Sequence, residues 1–216
     1  MIKAILFDLD GVLIKTEKET FKFYQKYLKS KGIFIKDSDF KYKAGRKSKD
    51  FWNDILTKEQ QKKIDTQKLT QLKRELFNNQ PKKYVKKVTG GKEILEYLKK
   101  NNFKLALVSQ NESRMIENMV NWLEIKNYFD VILSIDDITN LKPDPEIYLL
   151  AAKKLNVMPS NCIVIEDSKD GIGSAKNAKM ICIGLNHNYT PKNALLEADF
   201  IINDLKEINL DLIKKI

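Results

Sequence analysis

Six short apolar runs, separated by helical patterns, constrain the fold of this chain more than any other feature. They are Lys3-Ala4-Ile5-Leu6-Phe7-Asp8, Lys104-Leu105-Ala106-Leu107-Val108-Ser109, Asp130-Val131-Ile132-Leu133-Ser134, Cys162-Ile163-Val164-Ile165-Glu166-Asp167, Met180-Ile181-Cys182-Ile183-Gly184 and Phe200-Ile201-Ile202. The runs are nearly continuous in apolar character rather than alternating, which is how strands buried on both faces read. Between them lie amphipathic patterns. Gly91 to Lys100 carries Ile94, Leu95 and Leu98 on one stripe, and Ser113 to Leu123 carries Ile116, Met119, Val120 and Leu123. Pro145 to Leu155 carries Ile147, Leu150, Ala151 and Leu155, and Gly171 to Ala178 is short and rich in small residues. Strand and helix in alternation imply right-handed crossovers, hence an α/β fold with a doubly wound parallel sheet and helices on both faces.

Residues 15–86 break that rhythm. They separate the first strand from the next unit and contain no convincing buried strand, whereas Phe21, Tyr24 and Leu28, and then Ile64, Leu69, Leu72 and Leu76, fall at helical spacing. The expected organisation is therefore a core of residues 1–14 and 87–216 with an inserted helical domain over 15–86, and Asn79 to Lys87 as the return hinge. The charge is divided the same way. The chain carries +10 overall, but residues 15–86 hold 21 Lys/Arg against 9 Asp/Glu, a net of +12, and the remainder is −2. Such a segment can steer small anions. Its lysines are scattered, without the arginine and aromatic clustering of a nucleic-acid groove, so no nucleic-acid partner is expected.

Several classes of function are disfavoured. No apolar run approaches the roughly 20 residues of a membrane-spanning helix, and Met1-Ile2-Lys3-Ala4 leads straight into a strand with no signal-peptide layout. Cys162 and Cys182 each lie inside an apolar run, which argues against a disulfide scaffold and sets a cytoplasmic location as the expectation. The single histidine, His187, stands in the polar stretch Leu185-Asn186-His187-Asn188-Tyr189 with no partner at metal-ligand spacing, and reads as a surface-loop residue. Chemistry here is expected from carboxylates, lysines and a metal.

In a doubly wound sheet, ligands bind outside the carboxyl ends of the strands. Those ends carry Asp8 and Asp10 after the first strand, Ser109 after the second, and Glu166 with Asp167 after the fourth; Lys142 lies in the loop after the third. Four carboxylates converging on one crevice repel one another unless a cation joins them. Oxygen ligands without His or Cys suit Mg²⁺, which commonly retains waters and a substrate phosphate.

Asp8-Leu9-Asp10-Gly11-Val12, Ser109, Lys142-Pro143-Asp144-Pro145 and Glu166-Asp167-Ser168-Lys169-Asp170-Gly171 resemble the four motifs of the haloacid dehalogenase superfamily. Singly, these residues read as a turn, a helix opening or an N-cap. In this order and spacing they are similar to the branch with a helical cap inserted after the first motif, which holds sugar-phosphate phosphatases, phosphoglycolate phosphatases and β-phosphoglucomutases. The resemblance implies a Rossmann-like core, an Asp8 nucleophile that forms an aspartyl-phosphate, and Asp10 as acid and then base. It also implies Ser109 and Lys142 on the phosphoryl oxygens. Mg²⁺ would be held by Asp8, the Asp10 carbonyl, Asp167 and Glu166. Thr16, Glu17, Gly45, Arg46, Gln110 and Asn111 would join Ser109 and Lys142 in facing the substrate. The implied partner is a small phosphorylated metabolite, with the protein a monomer or weak dimer and no membrane or nucleic acid involved.

The second aspartate favours phosphoryl transfer, since the family's dehalogenases lack that acid. Other positions depart from the family pattern. Lys15-Thr16-Glu17 replaces an Asp-Ser/Thr-Glu triplet, Thr20 stands where the mutases place a histidine, and Ser48, in Gly45-Arg46-Lys47-Ser48-Lys49, is near the place of the mutases' cap arginine. Lys179 replaces the usual glycine before the fifth strand. The expected function is a Mg²⁺-dependent phosphatase of a small phosphomonoester; the alternatives are a β-phosphoglucomutase-like phosphotransferase and a non-catalytic binding module on the same fold.

Overall fold

In chain order the strands are β1 (Ala4–Phe7), β2 (Ile14–Lys15), β3 (Lys86–Lys87), β4 (Lys104–Val108), β5 (Val131–Leu133), β6 (Cys162–Glu166), β7 (Ile181–Leu185) and β8 (Phe200–Ile202). They belong to a computed structural model that describes residues 1–42, 48–191 and 193–216. Cα packing divides the chain into two compact units, Met1–Lys15 with Lys87–Ile216, and Thr16–Lys86.

The first unit is built on a six-stranded sheet in the order β5-β4-β1-β6-β7-β8, with every pairing parallel. The strand at its centre, β1, has Leu6 opposite Ala106 on β4 and Val164 on β6. All four β1 side chains are buried. Side chains alternate across a strand, so Ala4 and Leu6 join one core cluster while Ile5 and Phe7 are buried on the other face. The Ala4/Leu6 cluster takes Ile147, Tyr148, Ala151, Ala152 and Leu155 from helix Glu146–Leu155, and Ile172 and Ala175 from helix Lys169–Asn177. This is the α/β doubly wound architecture expected from the alternation, with the topological switch at β1, whose neighbours β4 and β6 come from opposite directions of chain winding.

Boundaries moved for identifiable reasons. The helix expected from Gly171 begins at Lys169, because the Ser168 side chain accepts from Gly171 N at 3.1 Å and so caps it two residues early. Lys179 occupies a left-handed conformation at φ 57°, the position where glycine is the easier residue. Among the described residues, no helix is long and apolar enough to cross a membrane.

In the second unit, helix Glu17–Ser30 buries Thr20, Phe21, Tyr24 and Leu28 along one stripe. Helix Ser48–Ile55 supplies Phe51 and Trp52, whose rings lie 5.8 and 4.5 Å from that of Tyr24. Helix Lys58–Lys63 starts with a capping box between Thr57 and Gln60, and helix Thr66–Asn79 is capped by Asp65. Leu69 and Phe77, eight residues apart, define the buried stripe of that last helix. They turn Leu72 outward to 46% exposure, a correction to the stripe read from the sequence. Chain return is marked by the short helix Pro81–Tyr84 and by Val88 N, which donates to Leu13 O at 3.0 Å within the first unit.

Asp130 ties the sheet edge together, and its behaviour is testable. Its Oδ2 accepts from Leu105 N at 2.8 Å and both oxygens accept from Lys99 Nζ at 2.9 and 3.0 Å. Burial alone would raise its pKa, but the Lys99 and Leu105 hydrogen bonds outweigh that and hold it below the ordinary 3.8. A depressed folded-state value stabilises the fold above the unfolded pKa and is lost as pH falls through the folded one. Urea midpoints measured from pH 6 down to pH 2.5 should therefore fall less steeply for Asp130→Asn than for the wild type; parallel curves would refute the linkage.

Candidate active site

Five segments bring their side chains to the carboxyl edge of the sheet. Asp8 follows β1 directly and is buried. Its Oδ1 accepts from Lys142 Nζ at 2.6 Å, and Lys142 also donates to Glu166 Oε1 at 2.7 Å and to Tyr148 Oη at 3.1 Å. An ammonium has three protons, and all three are used. Tyr148 in turn donates to Glu166 Oε1 at 3.0 Å. The other Glu166 oxygen accepts from Asp167 N, Ser168 N and Ser168 Oγ at 3.0, 3.1 and 2.9 Å.

Local structure explains how Lys142 is aimed. The peptide Lys142–Pro143 is cis. Ser174 Oγ donates to Asp144 O at 2.6 Å and Asn177 Nδ2 to Pro143 O at 2.9 Å, so helix Lys169–Asn177 holds the loop from one side. On the other side, Glu146 accepts from Thr139 N and Asn140 N.

Charge in this cluster is finely set. Burial pushes the Asp8 carboxyl up to about 8, Lys142 opposes that, and Glu166 and Asp10 add to it. Burial would lower the Lys142 ammonium, but Asp8 and Glu166 outweigh it and hold the group well above its ordinary value. Lys142 alone therefore does not balance the carboxylates. Asp8, Glu166 and Asp167 each offer a carboxylate oxygen, all within 4.8 Å of one another. An all-oxygen donor set with surplus negative charge fits a hard divalent cation. Glu166 is the weakest candidate for direct contact, since protein donors already occupy both of its oxygens.

Asp10 is held from the segment that follows β4. Asn111 Nδ2 donates to Asp10 Oδ2 at 2.5 Å and to Ser109 Oγ at 3.1 Å, and Asn111 N donates to the same Oγ at 3.2 Å. Ser109, at the end of β4, is buried, and Gln110 Nε2 is a buried donor with no hydrogen-bond partner among the described residues. Asp8, Asp10, Ser109, Asn111, Lys142, Glu166 and Asp167 thus come together in one unit. Thr16 and Glu17 stand at the start of the helix Glu17–Ser30, in the other unit. Gly45 and Arg46 lie outside the described residues.

Two contributors were missed from the sequence. Tyr148 is not singled out there, since it falls beside Ile147 in an apolar helical pattern and nothing in its spacing signals the buried phenol's polar contacts. His187 is the clearer error. Expected in a surface loop without partners, it is only 9% exposed, with Nε2 2.7 Å from Gly11 O and 3.8 Å from Asp167 Oδ2. The polar stretch around it folds inward after β7, and its partner lies 176 positions away, beyond any local pattern.

The comparisons with known proteins agree with this geometry. Residues 5–185 match the model of the haloacid dehalogenase-like hydrolase family. The chain belongs to that family. Among curated relatives, the phosphorylated carbohydrates phosphatase of Thermotoga maritima is 32% identical over 96% of this chain and 100% of its own length. The β-phosphoglucomutase of Bacillus subtilis is 28% identical over 98% of this chain and 94% of that one. A solved family IA, variant 3 hydrolase from Entamoeba histolytica superposes with a TM-score of 0.78 at 28% identity, covering 99% of this chain and 100% of that chain.

The tightest test of the cluster is a methyl group. A Cβ on Gly171 would stand 1.8 Å from Glu166 Oε1, so Gly171→Ala must displace the carboxylate that anchors Lys142. Hydrolysis of p-nitrophenyl phosphate should fall by about 100-fold, the scale of a misplaced catalytic group, while the far-ultraviolet circular dichroism stays native. Wild-type turnover would show that Glu166 does not position Lys142.

Proposed function

We propose that this protein is a Mg²⁺-dependent phosphatase of a small phosphorylated carbohydrate, working through a phosphoenzyme on Asp8. The observation that carries the reading is the pairing of a buried, lysine-bound Asp8 with Asp10 two residues on, held by Asn111 at the same crevice. The full-length relationship to a phosphorylated carbohydrates phosphatase supports it.

In this reading the free oxygen of Asp8 attacks phosphorus in line, and the bond from phosphorus to the leaving oxygen breaks as Asp10 gives that oxygen a proton. Asp10, now an anion, takes a proton from the water that attacks the phosphoryl group. The bond between Asp8 and phosphorus then breaks and inorganic phosphate leaves. Ser109 Oγ donates to a phosphoryl oxygen, and Lys142 spreads positive charge between nucleophile and phosphate. Asp8, the Asp10 carbonyl and Asp167 would hold Mg²⁺, which supplies charge neutralisation between two anions. We assign Glu166 to orienting Lys142 in preference to the metal. Residues 16–86 would serve as the cap, with Thr16, Glu17, Gly45 and Arg46 selecting the substrate together with Gln110 and Asn111. A cytoplasmic setting fits the two buried free thiols of Cys162 and Cys182.

Asp8→Asn removes the nucleophilic anion and should abolish phosphate release from p-nitrophenyl phosphate and from a panel of hexose and pentose phosphates. EDTA should do the same to the wild type, with activity returning on addition of Mg²⁺. Nucleophile loss touches a barrier reduction of roughly 8–23 kcal/mol, so a variant keeping about a tenth of the rate would overturn the covalent route.

The mutase relative supports a second reading, phosphoryl transfer with isomerisation. Thr20 and Ser48 speak against it, for neither can supply the proton relay or the second-phosphate charge that the mutase pattern places there. With β-glucose 1-phosphate and a trace of the 1,6-bisphosphate, inorganic phosphate should form faster than glucose 6-phosphate. The reverse order would make the protein a mutase.

A further inference from the structure

We propose that His187 is a positioning residue for Asp10, holding the β1 turn through its Nε2–H; this rests on the phosphatase reading, in which Asp10 is the acid. The bonded atom opposite Nε2 is the carbonyl of Gly11, at 2.7 Å. A carbonyl can only accept, so Nε2 carries the hydrogen and the imidazole donates. His187 is thus a donor brought into a crevice otherwise rich in acceptors.

The turn it grips is the one that carries Asp10. Gly11 follows Asp10 directly, sits at φ +79° and closes its own turn through Gly11 N to Ile14 O at 2.7 Å. Gly11 is pressed against the neighbouring segment too, because a Cβ there would stand 1.8 Å from Asp167 Oδ2. His187 Nε2 lies 3.8 Å from that same oxygen. The imidazole therefore closes a three-way contact among the ends of β1, β6 and β7. Asp10 is fixed at two points, by Asn111 on its carboxylate and by His187 on the carbonyl of the following residue, Gly11.

The ring itself is braced. His187 N donates to Thr190 Oγ1 and Thr190 N donates to His187 O, both at 2.9 Å, which closes a reciprocal turn. Tyr189 stacks on the imidazole with centroids 5.1 Å apart and planes 21° apart. Asn186, just before, is tied to the edge strand by Asn186 N donating to Ile202 O at 2.7 Å. A surface histidine would have none of this support. Removing the donor leaves the Gly11 carbonyl buried and unpaired, and the turn free to drift while the rest of the crevice stays in place.

A residue that aims an acid has a kinetic signature that a general scaffold lacks. p-Nitrophenolate leaves without needing a proton, whereas an alkoxide leaving group depends on Asp10. The probes are p-nitrophenyl phosphate and the sugar phosphate, of a hexose and pentose phosphate panel, that the wild type hydrolyses fastest. His187→Phe keeps the ring and its stack but not the N–H. It should lower kcat/KM for the sugar phosphate about 10- to 100-fold and for p-nitrophenyl phosphate by no more than about threefold. His187→Gln, which restores a donor, should recover most of the loss.

Because this is the chain's single histidine, the wild-type imidazole also gives an unobstructed long-range ¹⁵N–¹H NMR signal in metal-free protein. A slowly exchanging Nε2–H is expected there without any substrate. Equal losses on both substrates, unchanged kinetics in His187→Phe, a Gln variant no better than Phe, or a bare Nε2 in the NMR spectrum would each overturn the role of His187. A wild type that hydrolyses no phosphomonoester would instead overturn the phosphatase reading, and this assignment with it.

Discussion

The buried ammonium of Lys142, set between Asp8 and Glu166, is the constraint to which the rest of the α/β unit answers. Moving one cation and two carboxylates out of water costs several kcal/mol per ion, recovered only when geometry is close and every remaining proton and lone pair is satisfied. The structure meets that condition with unusual completeness. The third Lys142 proton goes to Tyr148, Tyr148 goes back to Glu166, and the second Glu166 oxygen is filled by the opening of helix Lys169–Asn177. Gly171 has no side chain because that carboxylate occupies the space. A network of this kind is weak evidence for stability and strong evidence for a demand on position, since an apolar cluster of similar volume would fill the same space at lower cost.

Topology decides where that demand can be met. β1 has partners from both halves of the winding, so its carboxyl end looks into the gap from which the chain departs toward β4 on one side and β6 on the other. Asp8 and Asp10 emerge there together with Ser109, Asp167 and His187 because parallel register places the ends of β1, β4, β6 and β7 along one edge. The chain leaves the core after Ile14–Lys15 and resumes it with Val88 bonded to Leu13. An insertion of this length costs little closure entropy, which rises only with the logarithm of loop length. The core fold can therefore carry it without rearrangement.

What the sequence disclosed follows from this. Strands buried on both faces leave near-continuous apolar runs, and the acids must follow them immediately, so the sheet, the crevice and Asp8, Asp10, Ser109, Lys142, Glu166 and Asp167 were all legible. Side chains whose partners are distant in the chain were not. His187 lies in a polar stretch, and polarity ordinarily means exposure; only the inward course of the chain after β7 makes it a site residue. Tyr148 was hidden for the opposite reason, because an aromatic within an apolar helix already has a sufficient explanation in core packing. In the helical unit Leu69 and Phe77 set the buried stripe of helix Thr66–Asn79, and Leu72, which shares the leucine periodicity, faces away from the core.

The remaining asymmetry is electrostatic. The α/β unit is nearly neutral overall, yet it gathers Asp8, Asp10, Glu166 and Asp167 around one lysine, and burial pushes the Asp8 carboxyl to about 8. A phosphomonoester is itself an anion, so the crevice in this form repels what the proposed reaction requires. Two features of opposite range offset that. A divalent cation held by Asp8 and Asp167, as proposed, would act over the few ångströms of contact, where interactions in a water-poor site are strong. The excess of +12 over residues 15–86 would act at longer range, through a field that salt screens over about 8–10 Å. In the proposed reaction, contact neutralisation would make the nucleophile usable, and a field of longer range would favour anions in general without naming any one of them. Discrimination among phosphomonoesters must then come from short-range contacts to the part of the substrate that is not phosphate, which is why a family with one phosphoryl site can serve many metabolites.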